Sequence, residues 1–206
     1  GNPEEALEFH LSAMQKRGNL LGEGHPSMAE LHNNMGTTFA ASGDYKSASL
    51  QLRKALEIAE SALPDDHPRV GDALSNLGAV EFAQGKSTVA LGLFQRALGI
   101  VEKSQGADHP DVALTLFNIG SVQMALEEFE KALLMLERAA SIQRSQKGEP
   151  HKLAQYQFAQ AQALDLCGHS PEKVQELAVE ALAIFEELPA YSAEASEVRE
   201  WLAGGE

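Results

Sequence analysis

Apolar residues recur along the chain at spacings of three and four, which is the pattern of amphipathic helices. Polar residues interrupt this pattern at four places, near Gly43-Asp44, Gly85-Lys86, Glu127-Glu128 and Gly168-His169. We therefore predict a helix on each side of every interruption. The first helices of the four pairs are expected at about 27–42, 69–84, 111–126 and 151–167, and the second helices at about 45–62, 87–104, 129–146 and 171–188. Because Val, Ile and Thr do not form alternating runs, no strand is expected.

The pattern repeats with a period of 42 residues. A His-Pro dipeptide begins at His25, His67 and His109, and the next step of the period falls on His151. Small residues keep the same period, with one set of glycines in the first helices and two sets of alanines in the second helices: Gly36, Gly78 and Gly120; Ala48, Ala90 and Ala132; Ala55, Ala97, Ala139 and Ala181. A glycine inside a helix costs about 1 kcal/mol of stability. We therefore expect each glycine to allow close contact with the first alanine of its own helix pair, and the second alanines to contact the next repeat.

The glycine, alanine and alanine spacing, with Leu52, Phe94 or Leu136 between the alanines, resembles the tetratricopeptide repeat (TPR). That repeat is a helix-turn-helix unit of usually about 34 residues. The longer period of 42, the His-Pro opening and the segments HNNMG, SNLG and FNIG resemble the variant found in kinesin light chains and in many bacterial proteins. This resemblance covers nearly the whole chain. It implies an all-α fold, a right-handed superhelical solenoid of antiparallel helix pairs.

The period also predicts how the chain is divided. We expect the second helix of a truncated repeat at 1–24, TPR 1 at 25–66, TPR 2 at 67–108, TPR 3 at 109–150, a degenerate TPR 4 at 151–189, and a C-terminal capping helix and tail at 190–206. The lone helix at 1–24 lacks a partner for one face, so we expect the natural protein to continue upstream. In the capping helix, Val198, Trp201 and Leu202 are expected to face inwards and Glu194, Glu197 and Glu200 outwards.

In a solenoid of helix pairs the first helices line the concave face, so residues at a fixed offset form ladders along a groove. The amide ladder consists of Asn34, Asn76, Asn118 and Gln160. An amide both donates and accepts, so a row of amides can hold an extended peptide by its backbone. The family resemblance implies the same, because in similar arrays this asparagine contacts bound peptide. The alternative is that each amide bonds within its own helix pair.

Neighbouring positions predict what the groove would bind. They are Glu30, Asp72, Leu114 and Tyr156 one turn earlier, Thr37 and Ser121 one turn later, and Asn33 and Phe117 in an adjacent row. The groove is thus expected to be acidic in the first two repeats and apolar in the later two. Arrays that clamp a carboxylate terminus place Lys or Arg at such positions, and here only Arg69 comes close. We therefore predict a ligand segment with basic and apolar side chains.

The charge and the cysteine content of the chain limit which binding partners and which cellular compartment we expect. The 206 residues carry 16 Lys and Arg against 30 Asp and Glu, a formal charge of -14. Such a chain is not expected to bind nucleic acid or an anionic membrane surface, which both need Lys and Arg. The single cysteine, Cys167, forms no intramolecular disulfide and suits a reducing compartment. Without a signal-like N-terminus or a long apolar run, the chain is expected to be cytoplasmic.

Neither a metal site nor a catalytic site is expected. Adjacent repeats stack roughly 10 Å apart, whereas each nitrogen ligand of zinc must lie within about 2.1 Å of the ion. The periodic histidines therefore cannot share one ion. His25, His67 and His109 each precede a proline at a helix start, where a capping or loop-packing role is natural. The paired acids lie in turns or at helix ends, where they are solvated: Asp65-Asp66, Glu127-Glu128 and Glu186-Glu187. We therefore expect no enzyme activity and no cofactor.

The sequence thus predicts a non-catalytic scaffold that binds a peptide segment of a partner protein in its concave groove. One alternative is a regulatory or self-association array attached to an upstream enzyme domain, because the ending VREWLAG resembles the ends of TPR arrays on bacterial serine/threonine kinases. Another is a homodimer formed through the open helix faces at 1–24.

Overall fold

The computed structural model describes the backbone of residues 3–204 and the side chains of Phe9 and of residues 12–204. Residues 1, 2, 205 and 206 of the first and last predicted segments therefore lie outside the described residues. The described chain is helical throughout and contains no strand. Its helices are α1 (Pro3–Leu21), α2 (Pro26–Ala41), α3 (Tyr45–Ala62), α4 (Pro68–Ala83), α5 (Ser87–Gln105), α6 (Pro110–Ala125), α7 (Phe129–Ser145), α8 (Pro150–Leu166), α9 (Pro171–Glu186) and α10 (Ser192–Gly204), with a 3-10 turn at Pro189–Tyr191.

The eight paired helices predicted from the sequence are confirmed, with one consistent difference. Each first helix starts one residue earlier than expected, at the proline itself, as α2 does at Pro26 and α4 at Pro68. A proline at the first helical position loses no hydrogen bond, because that position has no acceptor for an amide proton, and its fixed φ suits the helix.

The preceding histidines cap these helices, as predicted. The Nδ1 atoms of His25, His67 and His109 each accept a hydrogen bond at 3.2 Å from the backbone N–H two residues later. His151 differs, because it lies inside α8, and its ring stacks on Tyr191 with the ring centroids 4.6 Å apart.

The chain forms two compact units, Gly1–Gly106 and Ala107–Glu206. In the first unit α2 pairs with α3 and α4 with α5, while α1 packs on α2 and α3 on α4. In the second unit α6 pairs with α7 and α8 with α9, while α7 packs on α8 and α10 on α9. Consecutive helix pairs therefore bury their apolar faces against each other inside each unit.

The periodic glycines lie where the two helices of a pair touch, which confirms the packing prediction. A Cβ built on Gly36 would lie 2.5 Å from Cγ of Leu52, and one built on Gly120 would lie 2.7 Å from Cγ of Leu136. At Gly78 the nearest atom would be in the Phe94 ring, at 3.0 Å. The facing alanines and the second alanine set are fully buried. Close helix contact thus offsets the low helix propensity of the glycines.

The turns between paired helices share a residue with positive φ, which glycine tolerates best. The values are 81° at Gly43, 77° at Gly85 and 71° at Gly168. In the third pair the same place is held by Glu127, whose φ is 59°. A side chain in this left-handed region costs about 1–2 kcal/mol, so this turn is the strained one.

One buried carboxylate breaks the apolar pattern. Glu81 in α4 is fully buried, and no feature of the repeat predicted it. It accepts hydrogen bonds from Oγ of Ser49 at 2.7 Å, from Arg53 at 2.6 Å and from Nζ of Lys86 at 2.8 Å. Because Ser49 and Arg53 belong to α3, the carboxylate links two consecutive helix pairs of the first unit.

Candidate functional site

In the first unit, the predicted groove residues of α2 and α4 surround an open cavity. Its volume is about 270 Å³, and its lining includes Glu30, Asn33, Asn34, Arg69 and Asp72. We call this cavity the acidic cleft. The guanidinium of Arg69 lies 3.5 Å from the carboxylate of Glu30, and both side chains are about half exposed. Such an exposed ion pair contributes little to stability, so both groups can rearrange around a ligand.

The amides of the first unit are half-buried, and the bonding of Asn76 differs from the expected alternative of a bond within its own helix pair. Nδ2 of Asn76 donates to Oδ1 of Asn33 at 2.9 Å, which joins α4 to α2. The bond therefore connects consecutive helix pairs and does not stay within one pair. The side chain of Asn34, by contrast, makes no hydrogen bond to another described residue. Thr37 is exposed, and its hydroxyl donates to the carbonyl oxygen of Asn34 at 2.9 Å.

In the second unit, four of the predicted groove residues remain accessible. Leu114 is exposed, while Phe117, Asn118 and Ser121 are half-buried. Asn118, like its counterpart two periods earlier in the ladder at Asn34, makes no side-chain hydrogen bond to a described residue. The hydroxyl of Ser121 donates to the carbonyl oxygen of Phe117 at 3.0 Å. These side chains leave one open amide beside an aromatic ring.

Tyr156 and Gln160 are placed differently from the expectation that they line an open groove, because both are buried. The ring of Tyr156 stacks on Phe117 with centroids 4.8 Å apart, and its hydroxyl has no hydrogen-bond partner among the described residues. Burial, with smaller contributions from Glu149 and Asp111, raises the pKa of this hydroxyl to about 12. Contact between α8 and α6 places the ring of Phe117 against that of Tyr156 and covers it.

A second cavity, of about 270 Å³, lies beside Phe117 and Ser121. Phe158 of α8 and the acidic side chains Glu194 and Glu197 of α10 also line it. We call it the aromatic-acidic pocket. Both glutamates were expected on the outer face of the capping helix; Glu197 is exposed as expected, whereas Glu194 is half-buried, and both border this pocket. A signal was present, because Glu194 lies four residues before Val198 and Glu197 four before Trp201, so each shares a helical face with an inward residue.

Among side chains with described positions, no three His, Cys, Asp or Glu residues are grouped so that they could hold a metal ion. None of the described helices is both long and apolar enough to cross a membrane.

Comparison with known proteins supports the repeat assignment. A sequence model of the tetratricopeptide repeat family matches residues 1–61 and 69–145. No curated protein matches the chain. Solved structures do: the nearly identical TPR-like repeats of a kinesin light chain from Podosopora anserina share 21% identity, with a TM-score of 0.74 over 91% of this chain and 89% of that one. BtubC (BKLC) from P. vanneervenii shares 19% identity, with a TM-score of 0.83 over 93% of this chain and 76% of that one.

A third solved structure is PlcR from Bacillus thuringiensis, in complex with the peptide PapR7 and DNA. It shares 16% identity with this chain, with a TM-score of 0.74 over 95% of this chain and 68% of that one. Together these structures confirm the all-α fold of antiparallel helix pairs. Attachment to a kinase domain and pairing of two chains stay predictions.

Proposed function

Because the chain belongs to the tetratricopeptide repeat family, we propose that it is a non-catalytic scaffold that binds a peptide segment of a partner protein. Within each unit such a segment would lie against the first helices of the repeats, which are α2 and α4 in the first unit and α6 in the second. The observation that carries this proposal is the pair of open amides, Asn34 and Asn118. Each is half-buried, and each lacks a hydrogen bond to any other described residue.

A half-buried amide without a hydrogen-bond partner is unfavourable, because a desolvated polar group that stays unpaired costs free energy. A hydrogen bond from a ligand would remove that cost. A peptide backbone offers a donor and an acceptor in the same residue, which suits a side chain that has both. The paired amide Asn76 contributes differently. Its bond to Asn33 holds both side chains in place and leaves Oδ1 of Asn76 and Nδ2 of Asn33 to face a ligand.

The charges beside the amides set the ligand's chemistry. In the acidic cleft, Glu30 and Asp72 carry two carboxylates, and Arg69 is the one cation in the lining. In the second unit, Leu114 exposes 43% of its surface, and Phe117 is partly accessible beside it. A segment with basic and apolar side chains would complement both surfaces. The PlcR structure supports this use of the fold, since it is a complex of PlcR with the peptide PapR7 and DNA.

The test selects peptides from a random displayed library against the whole chain and measures their affinity by fluorescence anisotropy. Asn34→Ala and Asn118→Ala each remove an open amide without breaking a bond inside the protein. We expect each to weaken a selected peptide about tenfold, which corresponds to about 1.4 kcal/mol for up to two backbone hydrogen bonds. Gln95→Ala removes an exposed amide from α5 and is the matched control.

Amide chemical shifts would show where the peptide lies. Shifts confined to α2, α4 and α6 support the proposal. Unchanged affinity in the double variant Asn34→Ala, Asn118→Ala, with unchanged helicity, would mean that the amides do not hold the ligand.

A further inference from the structure

The aromatic-acidic pocket combines walls and charges that no single repeat supplies. Phe117 and Ser121 come from α6, Phe158 from α8 and Phe185 from α9, while Glu194 and Glu197 come from α10. Its volume of about 270 Å³ is below that of ordinary small-molecule sites, which begin at about 300 Å³. A cavity of this size fits one long side chain better than a whole ligand.

The two carboxylates in this pocket are not neutralised from within the described chain. Glu194 is half-buried and Glu197 is exposed, and neither forms an ion pair with another described residue. Arg199 is the cation of the same helix, but its guanidinium binds Glu186 at 2.6 Å instead. The pocket therefore has two unbalanced negative charges facing aromatic walls.

From this combination we infer that the pocket binds a basic side chain, arginine in preference to lysine, from the partner peptide. The inference rests on the proposed function and deepens it by naming one residue of the ligand. Aromatic faces attract cations, and a guanidinium can stack on such a face while its planar fork pairs with a carboxylate. An acidic side chain would be repelled, and an apolar one would desolvate the carboxylates without pairing them.

The test uses a small probe, so that it does not depend on finding the natural ligand. N-acetyl-arginine amide is titrated into the isotope-labelled chain, and amide shifts are recorded. N-acetyl-citrulline amide, which has nearly the same shape and no charge, is the control probe. We expect saturable shifts in α6, α8 and α10 with the arginine probe and binding about tenfold weaker with citrulline.

Two double variants separate this pocket from the general acidity of the chain. Glu194→Gln with Glu197→Gln removes both pocket charges, and we expect binding of the arginine probe to weaken about tenfold. Glu176→Gln with Glu200→Gln removes two exposed, unpaired charges outside the lining and is the matched control. Thermal melting shows that both variants remain folded.

Each outcome decides the inference. Equal binding of arginine and citrulline, equal loss in the two double variants, or shifts confined to α2 and α4 would each overturn it. A fall in scattering mass on removal of the pocket charges would show that a second copy of the chain occupies the pocket, which also overturns it. If selected peptides still bind along α2, α4 and α6 while the arginine probe fails, the proposed function stands and only this subsite is lost.

Discussion

Replacing the buried carboxylate of Glu81 is the sharpest test of how the first unit is held together. Three hydrogen bonds of 2.6 to 2.8 Å reach this carboxylate, and the two from Ser49 and Arg53 come from the preceding helix pair. Burial raises the carboxyl pKa, but the hydrogen bonds from Lys86, Ser49 and Arg53 lower it by more, from 4.5 to about 2. The carboxylate is therefore ionised although it is buried.

The size of the effect follows from that difference. Each tenfold change in the protonation equilibrium is worth about 1.4 kcal/mol, so a pKa near 2 corresponds to about 3 kcal/mol of stability from the ionised form. Glu81→Gln keeps the shape and removes the charge. Arg53 and Lys86 are about half exposed and can be hydrated when their partner is lost. We therefore expect Glu81→Gln to lower the free energy of unfolding at neutral pH by about 2–3 kcal/mol.

The pH dependence gives a second readout with a definite sign. Because the folded-state pKa is lowered, this contribution is complete above the unfolded pKa of about 4.5 and disappears as the pH falls towards about 2. The wild-type chain should thus lose stability most steeply between about pH 4.5 and about pH 2, and the Glu81→Gln variant should lose less. Glu57→Gln in α3 changes an exposed, unpaired carboxylate and is the control.

Urea denaturation followed by far-ultraviolet circular dichroism at several pH values measures both quantities. The reasoning would be refuted if Glu81→Gln and Glu57→Gln had the same free energy of unfolding at neutral pH. It would also be refuted if the two variants lost stability equally on acidification.

Three further predictions concern stability, and each is measured by urea denaturation. Gly36→Ala should lower the free energy of unfolding by about 1–3 kcal/mol, since its Cβ would lie 2.5 Å from a buried leucine. Gly99→Ala, in open space on α5, should raise the free energy of unfolding by up to about 1 kcal/mol. Equal effects of the two substitutions would contradict the packing argument. Glu127→Gly should raise the free energy of unfolding by about 1 kcal/mol by relieving a φ of 59°, and Gly85→Ala should lower the free energy of unfolding. A loss of stability in Glu127→Gly together with a gain in Gly85→Ala would show that the turn is unstrained. His67→Ala should cost about 0.5–2 kcal/mol through loss of the α4 cap, while His67→Asn keeps an acceptor and should cost less; a similar loss in both variants would rule out capping.

The fold was predictable because its contacts repeat. A contact such as that between Gly36 and Leu52 recurs in each of the first three pairs, so the period of 42 marks it in the sequence. Glu81 was not predictable for the opposite reason. The equivalent positions one period away hold Phe39 and Gln123, so a search for repeated residues passes over it. Two of its three partners, Arg53 and Ser49, lie 28 and 32 residues earlier in the chain and become neighbours only through packing.

The positions of the candidate-site residues on the helices were predictable from the sequence, but the exposure of their side chains was less so. The amide ladder identified Asn34 and Asn118, which are open, but also Gln160, which is buried. A ladder assumes that every first helix faces solvent in the same way. In the second unit the ring of Phe117 in α6 stacks on Tyr156 in α8, and Tyr156 loses that exposure. Helical periodicity gives the direction of a side chain and does not say which neighbouring element covers it.

Repeated and non-repeated residues therefore have separable roles in this chain. The glycines and alanines recur because each pair must solve the same packing problem, and they are buried. The ladder beside the amides changes along the chain, from Glu30 and Asp72 to Leu114, and these are the positions that we propose contact the ligand. Effects at distant, independent sites add. Gly36→Ala in one unit and Asn118→Ala in the other should thus lower stability and peptide affinity independently, and non-additive losses in the double variant would show that binding depends on the packing itself.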